Sequence, residues 1–232
     1  MPEVVSLFDL PHAEARRLCG RGHVVYLGVN PVEFHGPHLS LHNDRLLSEG
    51  LSAALHQRIG GGAPFLVATD VEVGFEPAHG PGTRTVGFAT TREVIVAACE
   101  ALAALGARRV VLMSFHGAPL HNLAIEHGCA ALRRHGVRAL APFHSLLREM
   151  LMLDDAGRFA DALAPIRDAT ERRTVHEGLK YDFHAGFFET SLALHFAPQS
   201  VSPAHRELAP CPRFAPTPIF ARASRVARRG SS

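Results

Sequence analysis

Carboxylates and imidazoles gather in three short stretches of this 232-residue sequence. The first runs Asn30-Pro31-Val32-Glu33-Phe34-His35-Gly36-Pro37-His38 and on to His42-Asn43-Asp44. The second is Ser114-Phe115-His116-Gly117, and the third is Asp182-Phe183-His184-Ala185-Gly186-Phe187-Phe188-Glu189-Thr190-Ser191. Histidine is the commonest metal ligand and the usual acid or base near neutral pH, and carboxylates complete mixed nitrogen and oxygen metal shells. Glu33 and His35 are two residues apart, so in extended chain they point the same way and can reach neighbouring ions. Each acid also has a plain structural role open to it. Asp44 fits a helix start, where the dipole favours an acid. Glu33 fits a solvated loop, His116 a strand end bonded to backbone, and Glu189 a first helical turn. Their joint occurrence, with Gly36, Gly117 and Gly186 allowing close backbone approach, favours a metal or proton-transfer site. The 16 histidines of the chain point the same way.

Such a site needs strands that end together. Short apolar, β-branched runs predict strands over 23–30, 65–73, 109–115 and 137–143. Helical spacing predicts a helix over 44–58, with Leu47, Leu51, Ala54 and Leu55 on its core stripe and Asn43 as its cap. The capping-box pattern Thr90-Thr91-Arg92-Glu93 predicts the start of a second helix. Its stripe would be Val94, Ala98, Ala101 and Leu105, and Gly106 would end it. A third helix is expected over 120–135, before Gly136. This rhythm predicts an α/β fold: a single domain over 1–232 with a mainly parallel sheet flanked by helices on both faces. Sites in such sheets form where strands end and loops begin, and all three ligand stretches are expected at strand ends. The polar segment from Asp154 to Lys180 is expected to be an irregular insertion over the site. Residues 218–232, with Arg222, Arg225, Arg228 and Arg229, are expected to be a flexible basic tail.

Composition bounds the rest. The chain is 47% hydrophobic and 20% charged, with a net charge of +2, an ordinary globular balance with no general attraction to nucleic acid. Cys19, Cys99, Cys129 and Cys211 are far apart in sequence, so neither a disulfide framework nor a zinc ribbon is expected. No secretory leader and no membrane-length apolar stretch are apparent. The expectation is a soluble, reduced, cytoplasmic protein that contacts neither nucleic acid nor membrane.

The motifs resemble those of the creatininase (creatinine amidohydrolase) family. Glu33-Phe34-His35-Gly36-Pro37-His38-Leu39-Ser40-Leu41-His42-Asn43-Asp44 resembles E-x-H-G-P-H-L-P-L-x-T-D. Pro81-Gly82-Thr83 resembles the P-G-T element, Ser114-Phe115-His116-Gly117 the N-G-H-G segment, and Asp182 through Ser191 the D-x-H-A-G-x-x-E-T-S element. Order and approximate spacing match over residues 23–202. The resemblance implies two divalent metals, zinc above all, with manganese or iron also suited to the donors. It implies Glu33 and His116 on one ion, His35 and Glu189 on the other, and Asp44 bridging. Three carboxylates and a bridging hydroxide would balance two divalent cations, leaving no buried excess charge. It further implies His184 as the catalytic acid, a small-molecule substrate, and a homo-oligomer, family members often being hexamers.

The implied activity is hydrolysis of a carbon–nitrogen bond in a small metabolite by a metal-bridging hydroxide: an amide, cyclic amide, formamide or ureido group. Two other readings stay open: trimming of a modified peptide, and a non-catalytic member used for binding or assembly. His184 could instead orient Glu189, and His38 is expected to hold Glu33 or Asp44. Phe34, Phe115, Phe187 and Phe188 could wall a pocket, with core packing the better expectation for at least two. The family's N-G-H-G-G-N departs to Ser114-Phe115-His116-Gly117-Ala118-Pro119, with Asn122 displaced along the chain. Ala118 cannot ligate where creatininase itself resembles N-G-H-x-E, so Glu189 must serve. The chain has no tryptophan, whereas creatininase is expected to place one beside its substrate, so creatinine is not the expected substrate.

Overall fold

The computed structural model describes residues 4–143, 163–179, 182 and 184–209. Five strands, β1 (Val4–Ser6), β2 (Val24–Val29), β3 (Phe65–Val71), β4 (Arg109–Met113) and β5 (Arg138–Leu140), form one sheet in the order β1-β3-β2-β4-β5. Every pairing is parallel. The helices are α1 (His12–Gly20), α2 (Asn43–Ile59), α3 (Phe88–Leu105), α4 (Pro119–Arg134), α5 (Ala169–Leu179) and α6 (Phe187–Phe196). The expected α/β fold is therefore present, and β1 and α1 extend it at the N-terminus. No described helix is long and apolar enough to cross a membrane.

Alternation along the strands builds two cores. Val25, Leu27, Val29, Leu66, Val110 and Leu112 face α1, α3 and α4, which contribute Leu18, Ile95, Leu102, Ile125 and Leu132. Tyr26, Phe65, Val111 and Met113 face the other way, toward Leu51 and Leu55 of α2. A third cluster joins α2 to α6 through Leu47, Ala193 and Phe196. Each fully buried aliphatic side chain contributes about 1.5–3 kcal/mol by leaving water. Helices thus cover both faces, with α2 and α6 together on one.

Several local expectations are corrected. Helix α3 starts at Phe88 behind Gly87, with no side-chain cap, so the Thr90-to-Glu93 pattern lies inside the helix. Its buried residues are Thr91, Ile95, Cys99 and Leu102, while Val94 is exposed. The run is apolar on several faces, so its pattern could not choose the inward one. Asn43 lies inside α2 rather than capping it. The buried stripe of α2 is Asp44, Leu47, Ser48, Ser52 and His56, with Leu51 and Leu55 only partly buried. Strands β3, β4 and β5 end earlier than expected, and Pro142 and Phe143 already have helical backbone. Part of the Asp154–Lys180 segment is regular helix, α5, and its residues 154–162 and 180 lie outside the described set. So do Cys211 and the basic tail at 218–232; Cys19, Cys99 and Cys129 are buried free thiols.

Helices α3 and α4 meet at Gly128, where a Cβ atom would lie 2.7 Å from Ile95 Cγ2 and 2.9 Å from Cys99 Sγ. Gly128→Ala is expected to lower stability by about 1–3 kcal/mol through overpacking. Denaturant unfolding checks this, and an unchanged midpoint would contradict the close contact.

Candidate metal centre

Strand β2 lies between β3 and β4, so the chain leaving these three strands converges at one edge of the sheet. The segment after β2 carries Glu33 and His35 and leads to Asp44 in the first turn of α2. The segment after β4 carries His116. The third ligand stretch does not follow a strand among the described residues: Glu189 sits in the first turn of α6, whose N-cap is Gly186. Glu33, His35, Asp44, His116 and Glu189 are all buried.

The structure brings all five together. Donor atoms of Glu33, Asp44 and His116 lie within 4.8 Å of one another, and so do those of His35, Asp44 and Glu189. Asp44 belongs to both groups. Its Oδ1 lies 3.2 Å from His35 Nε2, and its Oδ2 lies 3.7 Å from His116 Nδ1. Glu33 Oε2 is 2.8 Å from His116 Nδ1, and Glu189 Oε2 is 3.5 Å from His35 Nε2. A third overlapping group is Glu33, His35 and His184.

The outward ring nitrogens explain which way the histidines work. His35 Nδ1 lies 3.1 Å from the Glu33 carbonyl oxygen, and His116 Nε2 lies 3.0 Å from that of Phe75. His184 Nε2 is 2.8 Å from the Phe34 carbonyl. A carbonyl only accepts, so each outward nitrogen carries the proton and each inward nitrogen of a neutral ring presents a lone pair. The facing atoms Glu33 Oε2, His35 Nε2 and Asp44 Oδ2 are buried without a hydrogen-bond partner. Lone pairs set against carboxylate oxygens repel unless a cation lies between them. Tetrahedral ligands about 2.0–2.2 Å from one ion stand roughly 3.3–3.6 Å apart, near the 3.2, 3.5 and 3.7 Å separations observed. The residues present therefore fit divalent metal.

The electrostatics agree. Burial alone would lower the His35 pKa, but Asp44, Glu189 and Glu33 raise it to about 10. His116 is raised by Glu33 and Asp44 against its own burial. Burial opposes the ionisation of Glu33, yet His116 and the Ala78 amide hold it at about 2. Burial pushes Glu189 up to about 8, partly offset by His35. The field that favours a charged imidazole is the field that would hold a cation.

The segment after β3, which the motifs did not single out beyond Pro81-Gly82-Thr83, supports this wall. The Ala78 amide donates to Glu33 Oε1 at 2.5 Å. Thr83 Oγ1 accepts from the Phe34 amide and donates to the Ala78 carbonyl, both at 2.9 Å. One hydroxyl thus fixes the chain on both sides of Glu33. Asn122 donates to the His116 and Ala118 carbonyls at 3.0 Å each, so this displaced asparagine holds the altered loop. His121, buried and lowered to about 3 by burial and by His116, bonds Ser114 Oγ and packs edge-on against His116. Nothing in the sequence separated it from the other histidines.

His184 stands over this cluster. Its ring is 4.3 Å from that of His35, and its Nδ1 is 3.7 Å from Glu33 Oε1. Burial, then His35, lowers its pKa. Glu189 is oriented instead by the Ala185 amide, at 2.8 Å. His38 bonds Thr190 Oγ1 at 2.9 Å, not Glu33 or Asp44 as expected. Phe115 and Phe188 pack in the α2–α6 cluster, Phe34 is half-buried, and Phe187 is exposed.

The chain matches the family described as "Creatininase: Creatinine amidohydrolase" over residues 9–231 and belongs to it. Members of this family are amidohydrolases. Among solved structures, "Creatininase Mn" superposes with a TM-score of 0.67 at 25% identity, covering 93% of this chain and 81% of that one. A glutamine-substituted mutant creatininase of "Zn-Zn type" gives a TM-score of 0.64 at 26% identity, covering 92% and 81%. A putative creatinine amidohydrolase from Bacteroides fragilis, at 20% identity and a TM-score of 0.52 over 82% and 74%, shares the fold. No curated protein matches the sequence significantly.

Proposed function

We propose that this chain is a dinuclear metal-dependent hydrolase of carbon–nitrogen bonds other than peptide bonds, acting on an amide, cyclic amide, formamide or ureido group of a small molecule. The observation that carries the reading is the pair of buried ligand groups sharing Asp44, with histidine lone pairs turned inward by backbone carbonyls. Glu33 and His116 would hold one ion, His35 and Glu189 the other, and Asp44 both. Zinc suits these donors, as do manganese and iron, and the similar creatininase structures include Mn and Zn-Zn forms. When bound, the two ions lower the pKa of a water molecule and polarise a carbonyl oxygen.

The chain's own groups would then move the protons. His184 Nδ1 takes the proton from the attacking water as its oxygen bonds to the carbonyl carbon. The Phe34 carbonyl holds the Nε2 proton, and Glu33 Oε1 stabilises the charged ring. His184 then returns the proton to the departing nitrogen as the carbon–nitrogen bond breaks. The chain is also proposed to assemble as a homo-oligomer, a reading supported by the exposed Phe187 and Leu194 of α6.

Three outcomes are expected. Protein purified without chelator should carry about two divalent ions per chain, and Asp44→Ala should lose more metal than any other ligand change. Elemental analysis checks both, and an Asp44→Ala protein retaining two ions would refute the bridge. His184→Ala should keep its metal and slow turnover by about 10²–10⁴-fold; recovery of activity in excess metal would show that His184 supports metal binding instead. Full activity in His184→Ala would remove it from the mechanism, and a metal-loaded protein inactive toward every such amide would favour a non-catalytic role. Light scattering should give a mass above that of one chain, and a monomer at micromolar concentration would refute assembly.

A further inference from the structure

One buried amide ties together the elements that carry Glu33, His35, Asp44 and His116. Asn30, 1% exposed, directly follows β2. Its Oδ1 accepts from Ser48 Oγ at 2.8 Å and from the Phe115 amide at 3.1 Å. Its Nδ2 donates to Asp70 Oδ1 at 2.6 Å. Its backbone amide bonds the Val71 carbonyl at 3.2 Å. A single side chain therefore joins the ends of β2, β3 and β4 to α2. Ser48 lies one helical turn beyond Asp44, and Phe115 immediately precedes His116.

Asp70 fixes which way that amide faces. Two donors need Oδ1, so the amide must not flip, and a carboxylate beside Nδ2 enforces this because it only accepts. Room for the carboxylate comes from Gly28 on the neighbouring strand, where a Cβ atom would lie 2.3 Å from Asp70 Oδ1. Asp70 Oδ2 is buried without a partner, and burial pushes the group up to about 6. The pair lies beneath the site and outside the ligand set, so packing alone does not explain a half-buried acid there with one oxygen buried and unpartnered.

We infer that Asn30 and Asp70 are positioning residues for the metal centre. They hold Asp44, through Ser48, and His116, through the Phe115 amide, at the separation that two shared ions require. The inference rests on the dinuclear reading above. Losing an outer partner of a metal ligand typically weakens metal binding by about 10–100-fold, and that is the size expected here.

The test is titration of the full-length, metal-stripped protein with zinc against a chromophoric chelator, alongside thermal melting of the same metal-free samples. Asn30→Ala, Asp70→Ala and Ser48→Ala should each bind zinc about 10–100-fold more weakly while melting cooperatively. Asp70→Asn can still accept from Asn30 Nδ2, although as an amide it can also donate, so it should weaken zinc binding less than Asp70→Ala does. Should Asn30→Ala fail to fold, the Asp70 and Ser48 variants carry the comparison. Unchanged zinc affinity with a lowered melting temperature would make the network merely structural and overturn the inference. So would equal weakening in Asp70→Asn and Asp70→Ala. An unsubstituted protein that binds no zinc, manganese or iron would overturn the dinuclear reading itself, and this inference with it.

Discussion

Three carboxylates confined in one water-poor space govern the rest of this structure. Donor atoms of Asp44 lie within 4.8 Å of those of both Glu33 and Glu189. At that separation two like charges repel by about 3–4 kcal/mol per pair, even at the effective dielectric of about 20 that suits protein sites. The sum is a large part of a whole domain's net stability, which is about 5–15 kcal/mol. Two imidazoles facing the carboxylates with lone pairs make the balance worse, not better. The arrangement is therefore stable either with protons, on His35 and His116 toward which the field drives them and on Glu189 whose pKa burial raises to about 8, or with cations between the groups. Only the second leaves the outward N–H bonds to the backbone and the inward lone pairs both in use.

That constraint explains the backbone around the site. Among the described residues, the two non-glycine residues with left-handed φ are Glu76 at 58° and Ala185 at 53°. Glu76 lies between the Phe75 carbonyl that orients His116 and the Ala78 amide that bonds Glu33. Ala185 itself gives the amide that holds Glu189. Such conformations cost of order 1–3 kcal/mol each and persist where the surroundings require them. Here both turns aim backbone groups at ligands. Asp182 adds to this: its Oδ2 accepts from the Phe188 amide at the start of α6, and its carboxylate lies so close over Gly186 that a Cβ atom there would be 1.9 Å from Oδ1.

The sequence made the ligands legible because they are dense, adjacent to glycines and ordered as in a known family. The parallel α/β rhythm was legible because the central strands are short, apolar and β-branched. The supports were not. Thr83 is visible as the last residue of a P-G-T element, yet its two hydrogen bonds to Phe34 and Ala78 exist only once the segment after β3 folds back over Glu33. Ser48 and His56 sit on the buried stripe of α2, where apolar spacing pointed to leucines instead. Ser48 bonds Asn30, and His56 Nε2 bonds the Ala63 carbonyl at 2.9 Å, partners 18 and 7 residues away. A periodicity argument counts apolar side chains and cannot see a polar one whose partner arrives from another element. The missed inward face of α3 has a different origin, since a helix apolar on several sides carries no phase.

The polar stripe of α2 also shows how the two helices that carry Asp44 and Glu189 keep their spacing. Gly50 of α2 packs beneath Phe196 of α6, so tightly that a Cβ atom would lie 2.3 Å from the ring. Along α2, Asp44 is six residues from this crossing, and along α6, Glu189 is seven residues from Phe196. At about 1.5 Å rise per residue these are lever arms of about 9 and 10 Å. Small errors in helix crossing would thus reach both ligands almost equally, and a glycine against an aromatic face leaves little room for such errors. Leu47, Ala193 and the rest of the apolar cluster close the seam between crossing and site. At the other end of α2, His56 stacks on Phe65 at 4.9 Å and bonds the loop beyond the helix. The helix is therefore pinned toward the sheet by the Ser48–Asn30 hydrogen bond and the His56–Phe65 stack and to α6 by apolar contacts, and Asp44, shared by both ligand groups, stands where both restraints act.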